Sequence, residues 1–133
     1  MILSSKDTAE AGKPTYDLGL ASAAFVEKNP AVLDAWAKAQ DHAVEQILTD
    51  PDKAAESVAV EVGVSTEEAK KQFAGLTYLR AADQAKAEWL GEKLGTDLLA
   101  TAKFLLAQDG ISAVAPAATY RDGVDADVAA SVK

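Results

Sequence analysis

Tyr16-Asp17-Leu18-Gly19-Leu20-Ala21-Ser22 is the stretch whose reading decides the fold class. Aromatic or apolar residues alternate here with small or polar ones. That is the two-residue period of a strand with unlike faces, so the sequence predicts a short strand. Gly19 weakens it, because glycine adds no side chain to a sheet face. Upstream, Met1-Ile2-Leu3 running into Ser4-Ser5-Lys6-Asp7 resembles the end of another strand, followed by a polar stretch to Pro14. The residues alone thus predict one or two short strands near the N-terminus and a mainly α-helical chain in everything that follows.

From Ser22 the period becomes helical. A short helix carrying Phe25 and Val26 is expected to end near Asn29. Asn29-Pro30 reads as a helix start, Asn at the N-cap and Pro at the first position. Across 30–49, Leu33, Trp36, Ala37, Gln40, Val44, Ile47 and Leu48 form the apolar stripe, with Lys38, Asp41 and Glu45 elsewhere around the helix. Asp50-Pro51 starts a third helix over about 51–61, and Gly63 suits the left-handed position that ends it. Ser65-Thr66-Glu67-Glu68 has the form of a capping box opening a fourth helix, which closes at Gly75. Leu76 to Leu79 connects it to a long helical stretch from Ala81 to Gln108, with Gly91 and Gly95 as its breaking points and Gly110 beyond its end. Residues 111–133, poor in large side chains, read as a partly ordered tail.

Composition bounds the function classes. The 133 residues suit one domain, and 29 of them are alanine, against eight aromatics and one methionine. Alanine favours helix but buries little area, so the core is thin. The net charge of −8 excludes a nonspecific grip on nucleic acid or anionic membrane, which needs a basic patch. With no cysteine, disulfides and thiolate chemistry are excluded. No apolar run reaches the ~20 residues that span a bilayer, and residues 1–25 lack the basic and apolar regions of a signal peptide.

No catalytic constellation stands out. His42 is the single histidine, so neither a histidine triad nor a multi-histidine metal site can be built, and no cofactor motif is present. Glu67 and Glu68 fit the dipole at a helix start. The segment 59–72 has the spacing of a helix-turn-helix, but two glutamates open its second helix and phosphate would repel them. Trp36 and Trp89 lie on apolar stripes, where core packing is the favoured reading. Tyr16 and Tyr78 differ, since both fall in short non-helical segments of the kind that carry ligand contacts. Asp17, in a strand with apolar neighbours, needs a partner: a structural cation or a ligand.

The ordered set of segments is familiar. Gly12-Lys13-Pro14-Thr15-Tyr16-Asp17 and then Phe25-Val26-Glu27-Lys28-Asn29-Pro30-Ala31-Val32 resemble the C-terminal part of taurine/aliphatic-sulfonate substrate-binding proteins of ABC transporters. Gly75-Leu76-Thr77-Tyr78-Leu79 with Asp83-Gln84, and Thr101 to Gly110, are similar to later segments of that family, in the same order over roughly residues 1–120. The resemblance implies the α/β class: a two-lobed periplasmic-binding (type II) fold, each lobe α/β, of which this chain is a C-terminal portion, itself mainly α-helical with one or two short strands near the N-terminus. Residues 1–20 would return between the lobes near the hinge, 21–120 would form the helical layer of the first lobe, and 121–133 a tail.

By the same resemblance, Asp17 matches the aspartate that approaches the ligand's amino group, where a carboxylate accepts a charge-assisted hydrogen bond. Thr15 and Tyr16 flank it, and Tyr78 falls in a segment that approaches the cleft. Gly19 stands where taurine binders carry a bulky aromatic, which implies a wider pocket. The expected ligand is a taurine- or sulfonate-like small molecule, the partner a membrane permease, and the location periplasmic or extracytoplasmic. No cofactor, metal or enzymatic activity is implied, and exposed apolar surface would favour self-association. The alternative from the residues alone is a free-standing, mostly helical interaction module without catalytic activity.

Overall fold

A computed structural model describes residues 4–133, so the expected strand at Met1-Ile2-Leu3 lies outside the described residues. Nine α-helices and one π-helical turn are found among them, and no strand. The α/β expectation is therefore corrected: the described chain is all helical and is not a strand-bearing piece of a periplasmic-binding fold. Two local reasons account for this. Ser4 and Asp7 cap each other reciprocally, Asp7 N–H donating to Ser4 Oγ at 3.2 Å and Ser4 N–H to Asp7 Oδ2 at 2.7 Å. The polar stretch thus opens helix α1 (Ser5–Glu10). Residues 13–22 are irregular, and they lie over helices that offer side chains but no free backbone edge for a strand to pair with.

Helices α2 (Ala23–Lys28), α3 (Pro30–Thr49), α4 (Pro51–Val62) and α5 (Thr66–Phe73) follow the punctuation closely. Asp50 accepts from Lys53 N–H at 3.2 Å and Ser65 from Glu68 N–H at 3.2 Å. Gly63 adopts φ +74°, where a side chain would be strained. Asn29 behaves differently from expectation. Its side chain does not cap α3 but donates backwards to Phe25 C=O at 3.0 Å, closing α2.

The long helix expected over 81–108 is two helices, α6 (Ala81–Gln84) and α7 (Lys93–Ala107), joined through a π-helical turn at Ala87–Gly91. The chain kinks at Trp89 (φ −130°, ψ −113°). Gly95 does not break α7. It lies where the backbone of Arg121 crosses, so close that a Cβ would meet Arg121 Cα at 2.9 Å. The expected tail carries α8 (Ala117–Asp122), packed on α7, and α9 (Asp127–Ala130), packed on α3 and α6 through buried Ala129.

The core is a set of alanines. Ala55 and Ala69 are 0% exposed where α4 meets α5, with Ala59 beside them and Val58, Val64 and Phe73 around the rim. Small side chains let these helices approach closely, at the cost of little apolar area buried per residue. Leu94 is the one large apolar side chain among the buried residues described. A folded monomer of 13.8 kDa exposes on the order of 6,600 Å². This chain exposes 9532 Å², and the surplus is visible as uncovered Leu20, Trp36, Val60, Leu76 and Phe104. No helix among the described residues is long and apolar enough to cross a membrane.

Candidate ligand-binding site

Residues 13–22 reach the helical body at two points. The first is Tyr16. Its hydroxyl donates to Asp97 Oδ2 at 2.6 Å, and Lys93 Nζ donates to the phenolic oxygen at 3.3 Å. Lys93 and Asp97, one turn apart on α7, are themselves ion-paired. The Tyr16 ring meets Trp89 edge to face, centroids 6.4 Å apart at 86°, with the Lys93 ammonium 5.9 Å from the Tyr16 centroid. Burial pushes the Tyr16 phenol up, and its bond to Asp97 pushes it further. Burial also pushes Asp97 up, but the hydrogen bonds from Lys93 and Tyr16 outweigh it and hold the carboxyl below its ordinary value.

The second point is Gly19. A Cβ there would lie 2.6 Å from Trp36 Cη2 and 3.0 Å from Cζ2, so the backbone rests directly on the indole. The space beside Gly19 is thus filled by the Trp36 side chain from α3. Trp36 itself is 49% exposed, not the core residue that its place on the stripe suggests.

Between these two points stands Asp17. It is exposed, and among the described residues no side chain is ion-paired or hydrogen-bonded to it. The irregular segment brings it near Tyr78, 61 positions away, close enough that its negative charge adds to burial in raising the Tyr78 phenol. Tyr78 meets Phe73 edge to face at 5.9 Å and lines an open hollow of about 510 Å³ with Ile47, Leu48, Pro51, Lys70 and Leu76. Of the four expected site residues, Asp17 and Tyr78 come within electrostatic reach of one another. Tyr16 is committed to α7, and Thr15 is exposed with no side-chain hydrogen bond among the described residues.

Tyr78 is placed by a junction the sequence reading missed. Arg80, at the start of α6, donates from Nε and Nη2 to Asp41 at 2.8 and 2.6 Å, and from Nη1 to Glu45 at 3.0 Å. Ala81 N–H donates to Asp41 Oδ1 at 2.7 Å. Asp41, off the apolar stripe expected for α3, is buried. The guanidinium, seconded by the Ala81 amide, holds its carboxyl down at about 2, and Arg80 is raised in return. Two acids one helical turn apart, and an arginine opening a later helix, are the signal that could have suggested this fork. His42 is exposed beside Glu45, at 3.7 Å.

Among the described residues no group of three or more His, Asp or Glu side chains is placed to hold a metal ion. No protein-family model, no curated protein and no solved structure matches this chain.

Proposed function

We propose that the chain is the solute-binding component of an ABC importer, taking taurine, an alkanesulfonate or a similar small organic anion or zwitterion. The observation that carries this reading is Asp17: among the described residues a carboxylate without a protein cation, within electrostatic reach of Tyr78, on a segment pinned at both flanks by Tyr16 and Gly19. A carboxylate so presented accepts a charge-assisted hydrogen bond from an ammonium, and the Tyr78 hydroxyl can donate to the ligand's anionic end. The ordered resemblance of Thr15-Tyr16-Asp17 and Gly75 to Leu79 to sulfonate binders supports the same ligand class. The role is binding without catalysis or cofactor. Its setting is periplasmic or extracytoplasmic, and its partner is a membrane permease.

Asp17 stands at the surface, so a second surface must close over the ligand for tight binding. The chain alone therefore binds weakly, and the test must read weak binding. Amide chemical shifts are to be followed while taurine is added to tens of millimolar. Shifts confined to 16–19 and 77–79, absent in Asp17→Asn, are expected. No shift there, or unchanged shifts in Asp17→Asn, refutes the assignment.

A helical interaction module is the second reading. It rests on the surface surplus of roughly 2,900 Å² over a folded monomer of this mass. It predicts no response to small solutes, and concentration-dependent association in sedimentation.

A further inference from the structure

We infer that this chain pairs with a second copy of itself through α3, antiparallel, about a two-fold axis close to Ala39. The pairing does not depend on the ligand assigned to Asp17. It rests on the surface surplus behind the second reading above, and gives that surplus a face and a partner.

Helix α3 has two unlike sides. With 3.6 residues per turn, Asp34, Lys38, Asp41 and Glu45 fall on one of them. That side is occupied: Lys38 pairs with Asp34 at 2.8 Å, and Arg80 reaches Asp41 and Glu45 at 2.6 and 3.0 Å. The opposite side is therefore turned away from Arg80 and α6. It carries Val32, Trp36, Ala39, Ala43 and Gln46, and all five are exposed. Their alternating steps of four and three residues lay a straight seam along the helix. No Asp, Glu, Lys or Arg lies on it.

Charge selects this face. Each copy has a net charge of −8, so two copies repel unless they meet where neither presents an acid. The other exposed apolar groups offer no such face. Val60 and Val62 bracket Glu61 and point to different sides of α4. Phe104, Leu105 and Leu106 are consecutive on α7 and point three ways. Leu48 and Leu76 border the hollow lined by Pro51, which stands between exposed Asp50 and Asp52.

Shape selects the direction. The seam is bulky at Val32 and Trp36 and small at Ala39 and Ala43. Two parallel copies would meet bulk on bulk and leave a gap beyond it. Laid antiparallel, the indole of each copy covers Ala43 of the other, and Ala39 of both lies near the axis. Contacts are then reciprocal, as a two-fold interface requires, and the helix dipoles oppose one another. Leu20 is 91% exposed and adjoins Gly19, which rests on Trp36, so it widens the apolar surface at each end of the seam. A standard interface takes ~800 Å² per partner. The surplus of roughly 2,900 Å² leaves ample area for one.

Sedimentation of the full chain over a wide concentration range tests the pairing. The parent should form a dimer and nothing larger. Ala39→Glu and Ala39→Lys put good helix formers at an exposed position, so the fold is kept. Each alone should weaken self-association at least about tenfold, through like charges facing across the axis. Mixed in equal amounts, the two variants should pair with each other. Ala43→Glu should weaken association likewise, and Val60→Glu, on α4, should leave it unchanged. A monomer at every concentration overturns the inference and the second reading with it. Association undiminished in Ala39→Glu and Ala43→Glu, or weakened as much by Val60→Glu, overturns the inference alone, since the copies then meet elsewhere. Failure of the two Ala39 variants to pair when mixed, or a parent assembly larger than a dimer, overturns it too.

Discussion

The α4–α5 pair and the 13–22 segment are held to the molecule in opposite ways. The pair is joined by alanines with no exposed surface, by caps at Asp50 and Ser65, and by a left-handed glycine in the turn. Its contacts are short in sequence and need only helix-forming residues in register. The segment has no regular structure and no backbone ladder. Its attachments are single side-chain events: one phenol on α7 and one glycine on an indole. Close apolar contact is spread over many atoms and tolerates no added volume, whereas a polar pin is localised and can be withdrawn without disturbing the rest. The rigid part carries the fold, and the pinned part carries the candidate ligand group.

The largest effect is expected where that contrast is strongest. Ala69→Leu inserts three carbons between α4 and α5 at a position with no exposed surface. Overpacking of this kind costs about 1–3 kcal/mol. Thermal unfolding should show it as a fall of many degrees, with the Tyr16 signals of the folded fraction unchanged. If instead Tyr16 is released along with α5, the two regions are one cooperative unit.

Next in size is the Arg80 fork, which belongs to neither side of the comparison because it joins α6, and with it the Tyr78 loop, to α3. Arg80→Met leaves Asp41 buried without its cation and should lower the melting temperature by roughly 5–10 °C. Acid gives an independent reading. Asp41 titrates at about 2 against an ordinary 3.8. A carboxyl depressed in the folded state stabilises fully above its unfolded value, and the contribution fades as pH falls from 4 toward 2. Asp41→Asn should flatten the stability profile in that window. An unchanged slope would mean that other carboxylates govern acid unfolding.

These two sites also show what could be read in advance. Helices α3, α4 and α5 were legible because their boundaries are written locally, in Asn29-Pro30, Asp50-Pro51, Gly63 and Ser65, and their faces in a 3.6-residue period. The strand at 16–22 was wrongly expected because alternation reports two unlike sides of an extended segment, not the presence of a pairing edge. Tyr16 and Gly19 turn to different helices, which gives the same pattern without a sheet. The fork was missed because Arg80 lies 39 positions from Asp41 and local pattern does not report long-range pairs. Asp17 and Tyr78 were legible as unusual residues in non-helical segments, but nothing in the sequence places the one beside the other. Trp36 misled, because an apolar stripe does not say whether a neighbour covers it.

The smallest effect on stability should come from Tyr16→Phe, and it is the most informative for the segment. The phenylalanine keeps the ring against Trp89 and removes only the hydroxyl shared between Asp97 and Lys93. Those two remain paired with each other on α7, so no buried charge is orphaned, and the loss should stay near 1 kcal/mol. The melting temperature should therefore hardly move. The Tyr16 hydroxyl nevertheless makes both hydrogen bonds that join the 13–22 segment to α7 among the described residues. Without it, amide hydrogen exchange across 15–20 should accelerate severalfold while α4 and α5 keep their protection. Any response of Asp17 to taurine should weaken in step, because a ligand must then also order the chain that presents the carboxylate. Acceleration spread evenly over all helices would show instead that the phenol holds up the whole body, and the contrast between a rigid part and a pinned part would fail.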